Sequence, residues 1–154
     1  MKEDQPMIIT FFGHANYIKN PKHEQIIFDY LNSVVGEQEL EFYLGGYGNF
    51  DSFALSCAKL FQKTHPNAKI YFVTPYITQS YEKNRLKDSV MLYDGIIYPP
   101  LENAPPKYAI SYRNKWMVEN CDIVISFVKH NYGGAYKALV LAKKLCRNCL
   151  ELSE

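Results

Sequence analysis

Two stretches carry most of the chemistry legible in this sequence: Gly45-Gly46-Tyr47-Gly48-Asn49-Phe50-Asp51 and Lys129-His130-Asn131-Tyr132-Gly133-Gly134-Ala135-Tyr136. Each joins an apolar run of strand length to a run with helical spacing. Glycines there let the backbone approach a ligand closely, and the first N–H groups of the following helix lack intrahelical partners, which favours an anion. The helix dipole alone contributes about 0.3–1 kcal/mol. Several N–H bonds to one phosphate add to it. One such turn is ordinary chain reversal; two at one sheet edge point to a phosphate-bearing ligand. Gly45, Gly46, Gly48, Asn49, Gly133, Gly134, Ala135 and Tyr136 are therefore candidate binding residues, with Lys129 adding charge.

Two further strand ends contribute candidates: Gly13, His14 and Asn16 in Gly13-His14-Ala15-Asn16, and Pro75 in Thr74-Pro75-Tyr76. His14 and His130 both fall at strand ends, where they could face one another across a cleft and bind phosphate, or serve as plain polar loop residues. Asp51 could accept from a ribose hydroxyl or simply cap the helix that follows. Tyr47, Tyr76, Tyr98, Tyr132 and Tyr136 lie in or beside these loops, and an aromatic face can stack on a nucleobase. Other chemistries find no support. No GK[ST] follows Gly48, and the first strand–helix turn lacks the dinucleotide fingerprint. There is no G-x-S-x-G elbow and no carboxylate pair set for acid–base work. A histidine pair without a third ligand does not make a metal site, and a lone Cys146–Cys149 CxxC is weak support for zinc or redox work.

The elements that must position these residues alternate. Met7–Phe12, Leu40–Leu44, Ile70–Val73, Gly95–Tyr98 and Asp122–Val128 read as strands, with a further short one near Cys149–Leu152. Helical spacing runs from His23 to Val35 after Asn20-Pro21, from Phe50 to a stop at His65-Pro66-Asn67, over Lys107–Asn120 and over Ala135–Leu145. Residues 76–92 suggest one short helix and a loop. The expected fold is α/β: a single Rossmann-like three-layer domain over residues 1–154, with a mainly parallel sheet of five or six strands.

Length and composition agree with that. The chain has 154 residues, 47% hydrophobic and 21% charged, and holds seventeen Lys plus Arg against sixteen Asp plus Glu. The resulting +1 argues against a polybasic nucleic-acid binder. No stretch approaches the roughly 18 apolar residues of a membrane span, and the start lacks the pattern of a secretory signal. The expected compartment is the cytosol, where the four cysteines stay reduced and Cys57 and Cys121 act as buried small hydrophobes.

Glu41–Ala58 (EFYLGGYGNFDSFALSCA) resembles the first glycine-rich segment of the SLOG superfamily, which includes the lonely-guy (LOG) phosphoribohydrolases and the DNA-processing protein A family. Arg113–Lys144 resembles the LOG segment in which an arginine-bearing helix leads through a strand into a GGxGT turn, and FFGHANY resembles the turn that opens these domains. The likeness implies that Arg113 holds phosphate or carboxylate groups, and that Asp51 matches the acid of the GG-x-x-G-x-D form of the turn. It also implies homodimers or higher homo-oligomers. The LOG glutamate has no counterpart: Lys137 or Ala138 stands at its position, and Ala135 replaces the threonine. The resemblance therefore leads to an expectation of binding without catalysis. The ligand expected is a nucleotide or nucleotide-derived signal, ADP-ribose-like or cyclic, sensed or sequestered without cofactor, metal, nucleic acid or membrane. The alternative is a LOG-type nucleoside 5′-monophosphate N-glycosidase, with Arg113 and Asp51 as its catalytic residues.

Overall fold

The structure, a computed structural model, describes residues 5–36, 38–75 and 92–154. Six strands lie among these residues: β1 (Met7–Gly13), β2 (Leu40–Leu44), β3 (Lys69–Val73), β4 (Gly95–Ile97), β5 (Ile123–Phe127) and β6 (Asn148–Glu151). Four helices accompany them among the described residues: α1 (Pro21–Val34), α2 (Asn49–Thr64), α3 (Ala109–Glu119) and α4 (Gly134–Lys144). A short 3-10 turn, Pro106–Tyr108, leads into α3. The helix and loop expected over residues 76–92 lie, but for residue 92, outside the described residues, as does Tyr76.

All pairings in the sheet are parallel, in the order β4-β3-β2-β1-β5-β6. The chain winds outward from β1 through β4, then returns to the other side of β1 as β5. The place where winding reverses is the β1/β5 gap, and its carboxyl end is where such sheets bind ligands.

Alternation along the strands divides the core. Ile9, Phe11, Phe42, Leu44, Ile70 and Ile125 pack with Ile27, Leu31, Phe53, Ala54 and Phe61, so α1 and α2 cover one face. Phe12, Tyr43, Val73 and Val124 pack with Met117, Val118, Ala138 and Ala142, so α3 and α4 cover the other. The result is the three-layer Rossmann-like α/β architecture expected from the sequence. β5 is buried at all five positions, as a central parallel strand should be.

Local signals set the helix starts. Asn20 Oδ1 accepts the Lys22 N–H at 2.9 Å, with Pro21 in the first turn of α1. The glycines Gly48 and Gly133 stand at the N-caps of α2 and α4, neither helix having a side-chain cap bond. Cys57 and Cys121 are buried free thiols, and Cys149 is half-buried while Cys146 is exposed. No helix among the described residues is long and apolar enough to cross a membrane.

Candidate functional site

The carboxyl edge of the sheet holds two adjoining hollows that share His14. The inner one, about 280 Å³, is bounded by Gly13, His14, Gly45, Asp51, Arg113 and Ala135, with Gly134 and Tyr47 at its rim. The outer one, about 660 Å³, is lined by His14, Asn16, Tyr17, Lys19, Lys129 and His130 among others.

The two glycine turns share one backbone geometry. Gly48 has φ 90° and ψ 177°, Gly133 φ 92° and ψ 175°, in a region that side-chain-bearing residues avoid. At Gly48 space also matters, because a Cβ there would stand 2.7 Å from Ala15 Cα; at Gly133 nothing lies within 4 Å. The Asn49 N–H donates to the Ala15 carbonyl at 2.9 Å, pinning the start of α2 to the loop after β1. Gly13 serves packing, since a Cβ would fall 2.2 Å from the Phe50 ring.

Asp51 sits in the first turn of α2 and reaches back, its Oδ2 accepting the Tyr47 N–H at 2.8 Å. It thus ties the glycine turn back onto the first turn of α2 while bounding the inner hollow. Burial pushes its carboxyl up to about 6, against the opposing pull of the Tyr47 N–H and the Arg113 guanidinium.

Arg113 is 3% exposed. Its Nη1 donates to the carbonyls of Gly45 (3.0 Å) and Val73 (2.9 Å), and its Nε to Asn114 Oδ1 (3.0 Å). The side chain therefore ties α3 to the carboxyl ends of β2 and β3, holding the first glycine turn from below. A Cβ on Gly45 would meet the guanidinium at 3.0 Å, so glycine there is the counterpart of the arginine.

His14 and His130 do come together, their ring centroids 4.7 Å apart. His14 Nε2 accepts the Lys129 N–H at 2.8 Å, which leaves its proton on Nδ1 in the neutral form. Burial, then His130 and Lys129, lower its pKa. The Lys129 ammonium pairs with the Glu154 carboxylate.

The edge thus gathers the expected residues into two groups. Gly13, Gly45, Asp51, Arg113, Gly134 and Ala135 bound the inner hollow; Asn16, Lys129 and His130 bound the outer. Gly46, Gly48, Asn49, Gly133 and Tyr136 belong to the same turns without lining either hollow, and Pro75 is buried. The sequence reading missed Ile110, Asn114 and Met117, which α3 brings to the inner hollow, and Tyr17 and His23 in the outer. Counted from Ile110, Arg113, Asn114 and Met117 stand at i+3, i+4 and i+7, the spacing of one helix face. Nothing local marks His23, which is 1% exposed and bonds Tyr17 Oη at 2.7 Å and the Ser153 carbonyl at 2.7 Å.

No family model matches the chain, and no curated protein matches it. Solved structures do. DNA processing protein A from Helicobacter pylori superposes with a TM-score of 0.62 at 16% identity, over 97% of this chain and 66% of that one. Its counterpart from Streptococcus pneumoniae gives 0.61 at 15% identity, over 97% of this chain and 51% of that one. The chain spans about two thirds and one half of the lengths of these two proteins. The Helicobacter pylori protein has a unique single-stranded DNA binding mode. Two expectations are corrected by this neighbour: that the ligand is a small nucleotide signal, and that nucleic acid is no partner. The physical reason is that a net charge of +1 averages over the whole surface. It cannot exclude a strand-bearing edge whose donors are backbone N–H groups rather than lysines. What the likeness shows for this chain is its fold, Rossmann-like α/β of the kind found in DNA processing protein A.

Proposed function

We propose that this chain binds single-stranded nucleic acid along the carboxyl edge of its sheet, as a single domain of the SLOG superfamily. The observation that carries the reading is the meeting of both glycine turns at the winding reversal: Gly45, Tyr47, Gly134 and Ala135 line the inner hollow, and the helix caps beside them, Gly48 and Gly133, share one backbone geometry. Phosphates spaced along a strand need repeated backbone donors, and phosphate contacts supply position without sequence preference. The likeness to a fold that binds single-stranded DNA in Helicobacter pylori supports the choice of ligand.

The test is a titration of a labelled oligothymidine of about 20 nucleotides, followed by fluorescence anisotropy, beside a duplex of the same length. The single strand binds more tightly, and log K falls with log salt at about −0.7 per phosphate contacted. Gly133→Ala, which strains the cap without a clash, weakens the single strand several-fold. Equal affinity for duplex, or no saturable binding at low salt, would refute the proposal.

A further inference from the structure

Three rings from two strand-end loops form a ladder at the outer hollow. His14 meets the buried Phe127 edge-on at 6.3 Å and 74°, which roots the ladder in the core. His130 lies over His14 at 4.7 Å and 41°, and Tyr132 stacks on His130 at 4.9 Å and 13°. Tyr132 is nonetheless 65% exposed, the most open of the described tyrosines at this edge. One ring face is used by His130, and the exposure leaves the outer face to solvent. The neighbouring residue in the chain is Gly133, the cap of α4.

We propose that the outer face of Tyr132 is a platform for one unpaired nucleobase, whose own phosphate lies against the start of α4. This rests on the reading of the edge as a single-strand site and adds to it a specific subsite. Each rung already fixed by its neighbour spares the ordering that a lone surface tyrosine would undergo on binding. Offset stacking on an aromatic face accepts any base, because every base has a π-face. A nucleotide carries its phosphate one sugar from its base, so adjacency of Tyr132 to Gly133 suits both contacts at once. The chemistry selects a base with its phosphate, as opposed to a bare polyanion.

The experiment compares wild type, Tyr132→Ala and Tyr132→Phe on oligothymidine and on an abasic deoxyribose-phosphate strand of equal length. Tyr132→Ala loses about 5- to 100-fold on oligothymidine, the range for one lost base stack. Tyr132→Phe keeps wild-type affinity, and all three bind the abasic strand alike and weakly. A 2-aminopurine reporter in the strand is quenched on binding wild type and not on binding Tyr132→Ala. Wild type binding both strands equally, with Tyr132→Ala unchanged, overturns the platform and leaves the phosphate reading intact. Wild type binding neither strand overturns both. Circular dichroism of Tyr132→Ala checks folding, and the 2-aminopurine signal on wild type decides the matter should that variant misfold.

Discussion

Asp51 carries a pH dependence whose sign follows from its surroundings. Its folded carboxyl titrates at about 6, above the usual carboxylate value near 4, because burial penalises the charged form more than Tyr47 and Arg113 relieve it. The folded state therefore binds the proton more tightly than the unfolded chain. The stability this contributes is fully present below about pH 4 and is lost as pH rises through about 6. Two pH units at about 1.4 kcal/mol each set an upper bound of about 3 kcal/mol. Asp51→Asn keeps an oxygen for the Tyr47 N–H and removes the titration. The expected outcome is that urea unfolding shows the variant gaining on wild type by about 1–3 kcal/mol between pH 4.5 and 7.5. A difference that does not change with pH would place the carboxyl in a less buried setting.

At the scale of elements, the carboxyl edge is assembled by cross-links from helices to strand ends. Asn49 bonds to the loop after β1, and Arg113 bonds from α3 to the ends of β2 and β3. These are carbonyls with a charged donor in a dry place, so losing the donor leaves two acceptors unmet. Arg113→Ala is expected to lower stability by about 2–5 kcal/mol, read from the midpoint of urea unfolding at constant m-value. Its effect on oligonucleotide affinity follows from the displaced Gly45 turn. Arg113→Lys keeps the charge but loses the Nε donor to Asn114 and the planar guanidinium that sets Nη1 between the two carbonyls, and recovers only part of the loss.

At the scale of the molecule, the last residues fold back across the outer hollow. Leu152 is buried in the core cluster, the Ser153 carbonyl takes the His23 ring nitrogen, and Glu154 pairs with Lys129. That pair is exposed, and exposed pairs are worth about 0–1 kcal/mol to stability. For a phosphate strand the carboxylate is a competitor for the lysine. Glu154→Gln is expected to raise oligothymidine affinity about two- to five-fold at low salt, fading at high salt, with stability changed by under about 0.5 kcal/mol. Anisotropy titrations at two salt concentrations check this; unchanged affinity would take Lys129 out of the strand's path.

Over the described residues the sequence by itself determined the order of strands and helices, since short apolar runs, Asn20-Pro21, His65-Pro66 and the glycine turns are local signals read over a few residues. The ends differ by a residue or two: β1 extends through Gly13 and α1 begins at Pro21. It also determined that the chemistry-bearing loops share one edge, because parallel strands put all their carboxyl ends together. Only the tertiary structure decided what each candidate touches. Arg113 meets Gly45 and Val73 across separations of 68 and 40 residues, and His14 meets Lys129 across 115. Gly13 is required by Phe50, and His23 holds a carbonyl 130 positions away. Contacts at such distances depend on strand order and crossover, which periodicity does not encode. Whether a buried arginine braces a turn or an open tyrosine faces solvent is therefore fixed by packing alone.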